Sequence, residues 1–137
     1  MSSTSSIISS GTKLKNYRQE LGKKGEELAE EYLRSKGYEI IEKNYRRYRG
    51  EIDLIAKDED YLIFVEVKTT RSNNFGPPIY RVDQKKKRQL GRIAMAYYQE
   101  HDLFDQDSRF DVVTVTFSRE KPEINHIINA FWLEPPD

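Results

Sequence analysis

Apolar residues recur at helical spacing from Tyr17 to Lys36, where Leu21, Leu28, Ala29, Tyr32 and Leu33 form one stripe and Gly37 supplies a stop. The period then changes. Tyr38–Glu42 reads as a short strand, and Glu51–Ala56 and Tyr61–Thr69 read as two more, joined as a hairpin through the acidic turn Lys57-Asp58-Glu59-Asp60. Arg71–Pro78, with Asn73-Asn74, Gly76 and Pro77-Pro78, reads as a loop of the length usually kept for function or a crossover. Asp83 is placed to cap a second helix reaching about Glu100, with Leu90, Ile93, Ala94 and Tyr97 as its core stripe. The β-branched run Phe110–Phe117 predicts a strand, and Ile124–Trp132 predicts a last one after the turn at Lys121-Pro122. With no internal repeat or interdomain linker, this order predicts an α/β fold with a mixed central β-sheet flanked by helices.

Two charges interrupt the most apolar of these strands, Tyr61-Leu62-Ile63-Phe64-Val65-Glu66-Val67-Lys68. An unpaired carboxylate taken out of water costs on the order of several kcal/mol, so Glu66 requires a cation or an ion pair. Strand alternation puts Leu62, Phe64, Glu66 and Lys68 on one face and Ile63, Val65 and Val67 on the other. If the hairpin loop holds an even number of residues, such as Glu59-Asp60, Asp53 lies opposite Glu66 with Cβ atoms about 5 Å apart. Two carboxylates that close repel unless a cation sits between them. An odd loop would set them on opposite faces.

On the first helix, steps of about 100° place the apolar residues within a sector that Glu26 borders, at about 160° from Leu28. Glu27 and Glu31 point to solvent, so Glu26 is the helix carboxylate best placed to reach over the sheet. On the second helix Lys86 sits one turn before Leu90, on the sheet-facing stripe.

The chain has 137 residues, enough for one core, and we expect a single domain over residues 14–137 behind a serine-rich, disordered tail over residues 1–13. It has no cysteine, which removes disulfides, thiolate zinc sites and cysteine nucleophiles and fits a cytoplasmic location. The longest apolar run in the first ten residues is Ile7-Ile8, far short of a signal-peptide core or membrane span, so no membrane partner is expected. Formal net charge is zero, which gives no general sign of nucleic-acid binding. The local balance differs. Glu42–Arg49 carries four positive and one negative charge, Arg81–Arg92 six and one, and Glu100–Asp111 one positive and five negative. A phosphate backbone meets such local fields rather than the sum.

The stretches Gly22-Lys23-Lys24-Gly25-Glu26 with Ala29 and Tyr32-Leu33, Gly50-Glu51-Ile52-Asp53-Leu54-Ile55, Phe64-Val65-Glu66-Val67-Lys68 and Arg109-Phe110-Asp111-Val112-Val113 resemble the YraN-like family. That largely uncharacterised family is grouped, by its Asp…Glu-x-Lys pattern, with the restriction-endonuclease-like nucleases and the archaeal Holliday-junction resolvases. The resemblance runs from about Tyr17 to Trp132 and implies a restriction-endonuclease-like core and a metal-dependent endonuclease acting on DNA, branched DNA included. It implies that Asp53 and Glu66 ligate Mg²⁺ or Mn²⁺ with the backbone carbonyl of Val67, that Glu26 joins directly or through water, and that Lys68 positions or deprotonates the attacking water. A homodimer follows by analogy with the junction enzymes. One departure stands out: the family often reads Lys-Thr-Arg after the glutamate, whereas this chain reads Lys68-Thr69-Thr70-Arg71, which displaces the arginine.

Bland readings stand beside these. A cross-strand salt bridge on a solvated face also gives Asp…Glu-x-Lys, and Glu26 also fits a solvated helix position. Lys85, Lys86, Lys87 and Arg88 fit an exposed first helical turn, yet the helix dipole disfavours cations there, which favours a phosphate partner. Tyr45-Arg46-Arg47-Tyr48-Arg49 interleaves aromatic and basic residues as a nucleic-acid groove does, or is a solvated connection. Arg109 and Asp111 read as a local ion pair, and His101 and His126 as structural or exposed. Two rivals follow: a non-catalytic nucleic-acid-binding module of the same fold, and an interaction protein whose acidic cluster is an ion-pair network.

Overall fold

The computed structural model describes residues 10–72 and 82–131. Two helices and five strands follow one another as α1 (Ser10–Ser35), β1 (Glu39–Arg47), β2 (Gly50–Asp58), β3 (Tyr61–Arg71), α2 (Gln84–His101), β4 (Ser108–Phe117) and β5 (Glu123–Phe131). The strands form one sheet in the order β1-β2-β3-β4-β5, antiparallel throughout except for the parallel pair β3 and β4. A parallel neighbour needs a crossover, and α2 lies within it.

One helix covers each face. Leu90, Ile93, Ala94 and Tyr97 of α2 pack with Tyr45, Ile52, Ile55, Leu62, Phe64, Phe110 and Val112. Ala29 and Leu33 of α1 pack on the opposite face with Leu54, Ala56, Ile63, Val65, Val113 and Val115. The architecture is an α/β fold with a mixed sheet flanked by helices, consistent with the restriction-endonuclease-like core expected.

The ends of the elements follow local rules. Gly37 closes α1 at φ 92°, a conformation that costs glycine nothing, while the Tyr38 N–H returns to the Leu33 carbonyl at 3.0 Å. The Asp83 side chain caps α2 by accepting from the Lys86 N–H at 2.8 Å. At Gly25 α1 comes close to the sheet: a Cβ there would run into the side chain of Thr69 on β3.

Two expectations need correction. Helix α1 starts at Ser10, inside the tail expected to extend to Lys13; the first nine residues lie outside the described residues. Strand β1 runs on to Arg47 instead of ending at Glu42, because an edge strand with polar residues on both faces leaves no apolar alternation to read. The Tyr45–Arg49 segment is therefore the end of β1 and a two-residue turn, Tyr48-Arg49, with both residues at positive φ as a tight hairpin requires. Most of the expected Arg71–Pro78 loop, and Trp132, lie outside the described residues.

Candidate functional site

The hairpin loop is the two-residue turn Glu59-Asp60, so the ladder runs from Asp58↔Tyr61 to Leu54↔Val65. One step further along this register Asp53 meets Glu66. There the regular pairing ends. The Asp53 carboxylate takes the place of a ladder carbonyl and accepts the Val67 N–H at 2.7 Å. Side-chain alternation in β2 also slips at this point, since Ile52 and Ile55, three residues apart, both pack beneath α2 while Leu54 faces α1. On the other side, the pairs Lys43↔Leu54 and Tyr45↔Ile52 leave Asn44 across from Asp53, in the left-handed conformation at φ 53°.

Around this gap the acids gather. Carboxylate oxygens of Glu26 on α1 and of Glu51 and Asp53 on β2 lie within 4.8 Å of one another. Asp53 is 8% exposed, and its carboxyl is pushed up to about 9. Burial is the largest cause; the negative charge of Glu66 comes next, and hydrogen bonding to Glu66 and Glu51 adds to it, against the pull of the Val67 N–H. Glu51 moves the other way. Burial raises it, but hydrogen bonds from Asn44, Asp53 and Arg46 outweigh that and hold it below the ordinary carboxylate range. Asn44 Nδ2 donates to both Glu26 Oε1 and Glu51 Oε1 at 2.9 Å, and Arg46 Nε donates to Glu51 Oε2 at 2.9 Å.

Glu66 points to the α2 side, as alternation requires. Among the described residues its Oε2 is buried without a hydrogen-bond partner, with Lys86 Nζ at 3.5 Å. A buried carboxylate oxygen lacking a hydrogen bond, beside a second carboxyl that retains its proton, is what a hard divalent cation would satisfy. Glu26, Glu51 and Asp53 bring carboxylate oxygens close enough together that they could hold one, with Glu66 beside Asp53. The N–H and carbonyl of a strand residue point to the same neighbour, so the Val67 carbonyl belongs to the same gap. Lys68 follows two residues on from Glu66 and is exposed.

Of the residues read from the sequence, Glu26 joins Asp53 among the clustered carboxylates, Glu66 lies beside Asp53 on the α2 side, Val67 donates its N–H to Asp53, and Lys68 follows on β3. Glu51 and Asn44 were not among them. Glu51 carried a signal, since it stands two residues before Asp53 on one strand.

The basic candidates divide. Arg47 chelates Glu100 at 2.7 and 2.9 Å and lies over the Tyr45 ring, which ties β1 to α2. Arg46 is engaged with Glu51 beside the acids. In the first turn of α2 Lys86 meets Glu66, Lys87 stands over the Phe131 ring, and Lys85 and Arg88 are exposed.

A second buried acid contrasts with Asp53. Asp111 on β4 is 0% exposed and accepts from Arg109 Nε at 3.0 Å and from the Asn129 N–H at 2.9 Å, with His126 Nε2 at 2.7 Å. Burial raises its pKa, but these donors overcome that and hold it below the usual value. The expected Arg109–Asp111 ion pair is present and His126 is structural. This network is complete in itself, whereas the Asp53 cluster has acceptors in excess.

The sequence profile of a family described as "Uncharacterised protein family UPF0102" matches residues 25–115. The chain is 44% identical over 117 residues to a UPF0102 protein of Geobacter metallireducens, which covers 85% of this chain and 96% of that one. It is 46% identical over 112 residues to a UPF0102 protein of Syntrophomonas wolfei, covering 82% and 97%. A UPF0102 protein of Christiangramia forsetii is 46% identical over 113 residues, covering 82% and 94%.

Proposed function

We propose that this chain, which belongs to the uncharacterised protein family UPF0102, the YraN-like family its motifs resemble, is a metal-dependent endonuclease that hydrolyses phosphodiester bonds in DNA. The observation that carries this reading is the convergence of Asp53 and Glu66 where β2 and β3 part, with Glu66 Oε2 buried and lacking a hydrogen bond among the described residues.

Asp53, Glu66 and the Val67 carbonyl would hold Mg²⁺ or Mn²⁺, with Glu26 and Glu51 contributing directly or through water. Bound there, such an ion would supply a water of lowered pKa and positive charge beside the phosphate. The Lys68 ammonium would orient the attacking water and add a positive charge beside the phosphate, where a partly dehydrated site strengthens it. Lys85 and Arg88 extend a basic edge along which the DNA backbone would lie, and Arg46, Lys86, Lys87 and Arg47 flank it. A homodimer, as in the junction enzymes, would place two such sites on one branched substrate. None of the helices in the described residues is long and apolar enough to cross a membrane, in keeping with a DNA substrate met in the cytoplasm.

A second reading draws on Asn44, Arg46 and Lys86, which already oppose the acids with donors of the protein's own: the cluster is then an internal ion-pair network. Incubating the purified chain with branched, single-stranded and duplex DNA in Mn²⁺ separates the two. Cleavage that disappears in Asp53→Ala and Glu66→Ala supports the nuclease. No cleavage of any substrate, or cleavage indifferent to these changes, refutes it.

A further inference from the structure

Lys86 stands in the first turn of α2, which has no acid of its own behind the Asp83 cap. A cation at that end of a helix is disfavoured. Its Nζ nevertheless points inward to Glu66 Oε2 at 3.5 Å, the oxygen with no hydrogen bond among the described residues, while the side chain stays 37% exposed. The Lys86 backbone is held by the Asp83 cap, so only the flexible four-carbon stem needs to move for the ammonium to leave.

From this placement we infer that Lys86 is a stand-in cation: it neutralises Glu66 in the metal-free protein, gives way when a divalent ion takes that oxygen, and is then released toward a substrate phosphate. The inference rests on the metal-dependent reading above and adds a residue of α2 that competes with the ion for one ligand. An ammonium and a divalent cation within a few ångström of the same carboxylate oxygen repel each other strongly in a partly buried site, so they alternate.

The test is calorimetric titration of the full chain with Mn²⁺ alone. Wild type is compared with Lys86→Met, with Lys86→Arg, which keeps the charge, and with Arg92→Met, which removes an equal charge elsewhere on α2. The expected result is Mn²⁺ affinity about tenfold higher in Lys86→Met and little changed in the other two. Thermal denaturation gives a readout free of activity: Lys86→Met melts below wild type in chelator, and saturating Mn²⁺ closes the difference. Unchanged or weaker Mn²⁺ binding by Lys86→Met, or an equal gain in Arg92→Met, overturns the exchange while leaving the metal site intact. Absence of Mn²⁺ binding by wild type overturns the metal-dependent reading itself and this inference with it.

Discussion

The backbone N–H of Val67 donates to Asp53 Oδ2 at 2.7 Å, across the gap where the β2–β3 ladder ends at Leu54↔Val65. A carboxyl group in the place of a strand carbonyl stops the ladder and lies beside Glu66. The site is thus built by one substitution of partner in an otherwise regular hairpin. The same contact places the Val67 backbone next to the acids.

Asp53 governs the pH dependence of the metal-free fold. Its carboxyl is pushed up to about 9 from an ordinary 3.8, chiefly by burial, so between those values the folded chain binds one more proton than the unfolded chain. The contribution of this group to stability is then greatest at acid pH and falls as pH rises through that window, by up to about 1.4 kcal/mol per pH unit. Urea denaturation in chelator at pH 5, 6.5 and 8 should show the decline in wild type and a flatter profile in Asp53→Asn. Equal slopes would contradict the assignment.

Asp111 behaves in the opposite sense. Donors from Arg109, His126 and Asn129 overcome burial and keep its pKa low, so its contribution is present above the ordinary carboxylate value and disappears as pH falls through the depressed one. Asp111→Ala leaves Arg109 and His126 without their partner and should cost roughly 3–5 kcal/mol in urea unfolding at pH 7. Among variants that remain folded, Mn²⁺ affinity should be unchanged, because among the described residues the hydrogen bonds of this network run to Tyr38, His126 and Asn129 and not to the acidic gap.

Gly25 sets how closely α1, and with it Glu26, approaches β3. Gly25→Ala drives a methyl group into Thr69 and should cost about 1–3 kcal/mol, with reduced metal affinity through displaced Glu26. Adding Thr69→Ala restores room, and both losses should shrink in the double variant. A thermal melt and a Mn²⁺ titration of the three variants decide this.

Much of this site was legible because it rests on short-range rules. Alternation along Leu62–Lys68 and the parity of a two-residue turn suffice to bring Asp53 opposite Glu66, and neither depends on distant contacts. Glu26 was reachable from helical phase alone. Asn44 was not: its position opposite Asp53 depends on the register of β1, whose segment Glu42-Lys43-Asn44 has no apolar alternation. The Arg47–Glu100 pair joins residues 53 apart in sequence and arises only when α2 docks.

That pair separates the basic candidates experimentally. Arg47 is committed to Glu100, so Arg47→Ala should cost less than about 1 kcal/mol in stability and leave the salt dependence of DNA binding nearly unchanged. Lys85→Ala and Arg88→Ala should each weaken binding to all sequences alike and reduce the slope of log affinity against log salt by about 0.9. Fluorescence anisotropy over a salt series measures both. A slope altered most by Arg47→Ala would move the DNA path to the β1 edge.

The central claim, that Asp53 and Glu66 share a divalent cation, is tested most directly by anomalous diffraction from crystals soaked in Mn²⁺. The account requires an anomalous peak between the two carboxylates, about 2.1 Å from an oxygen of each, with the Val67 carbonyl also in its coordination sphere. Crystals that take up Mn²⁺ elsewhere, or not at all, while Lys86 remains paired with Glu66, would contradict it.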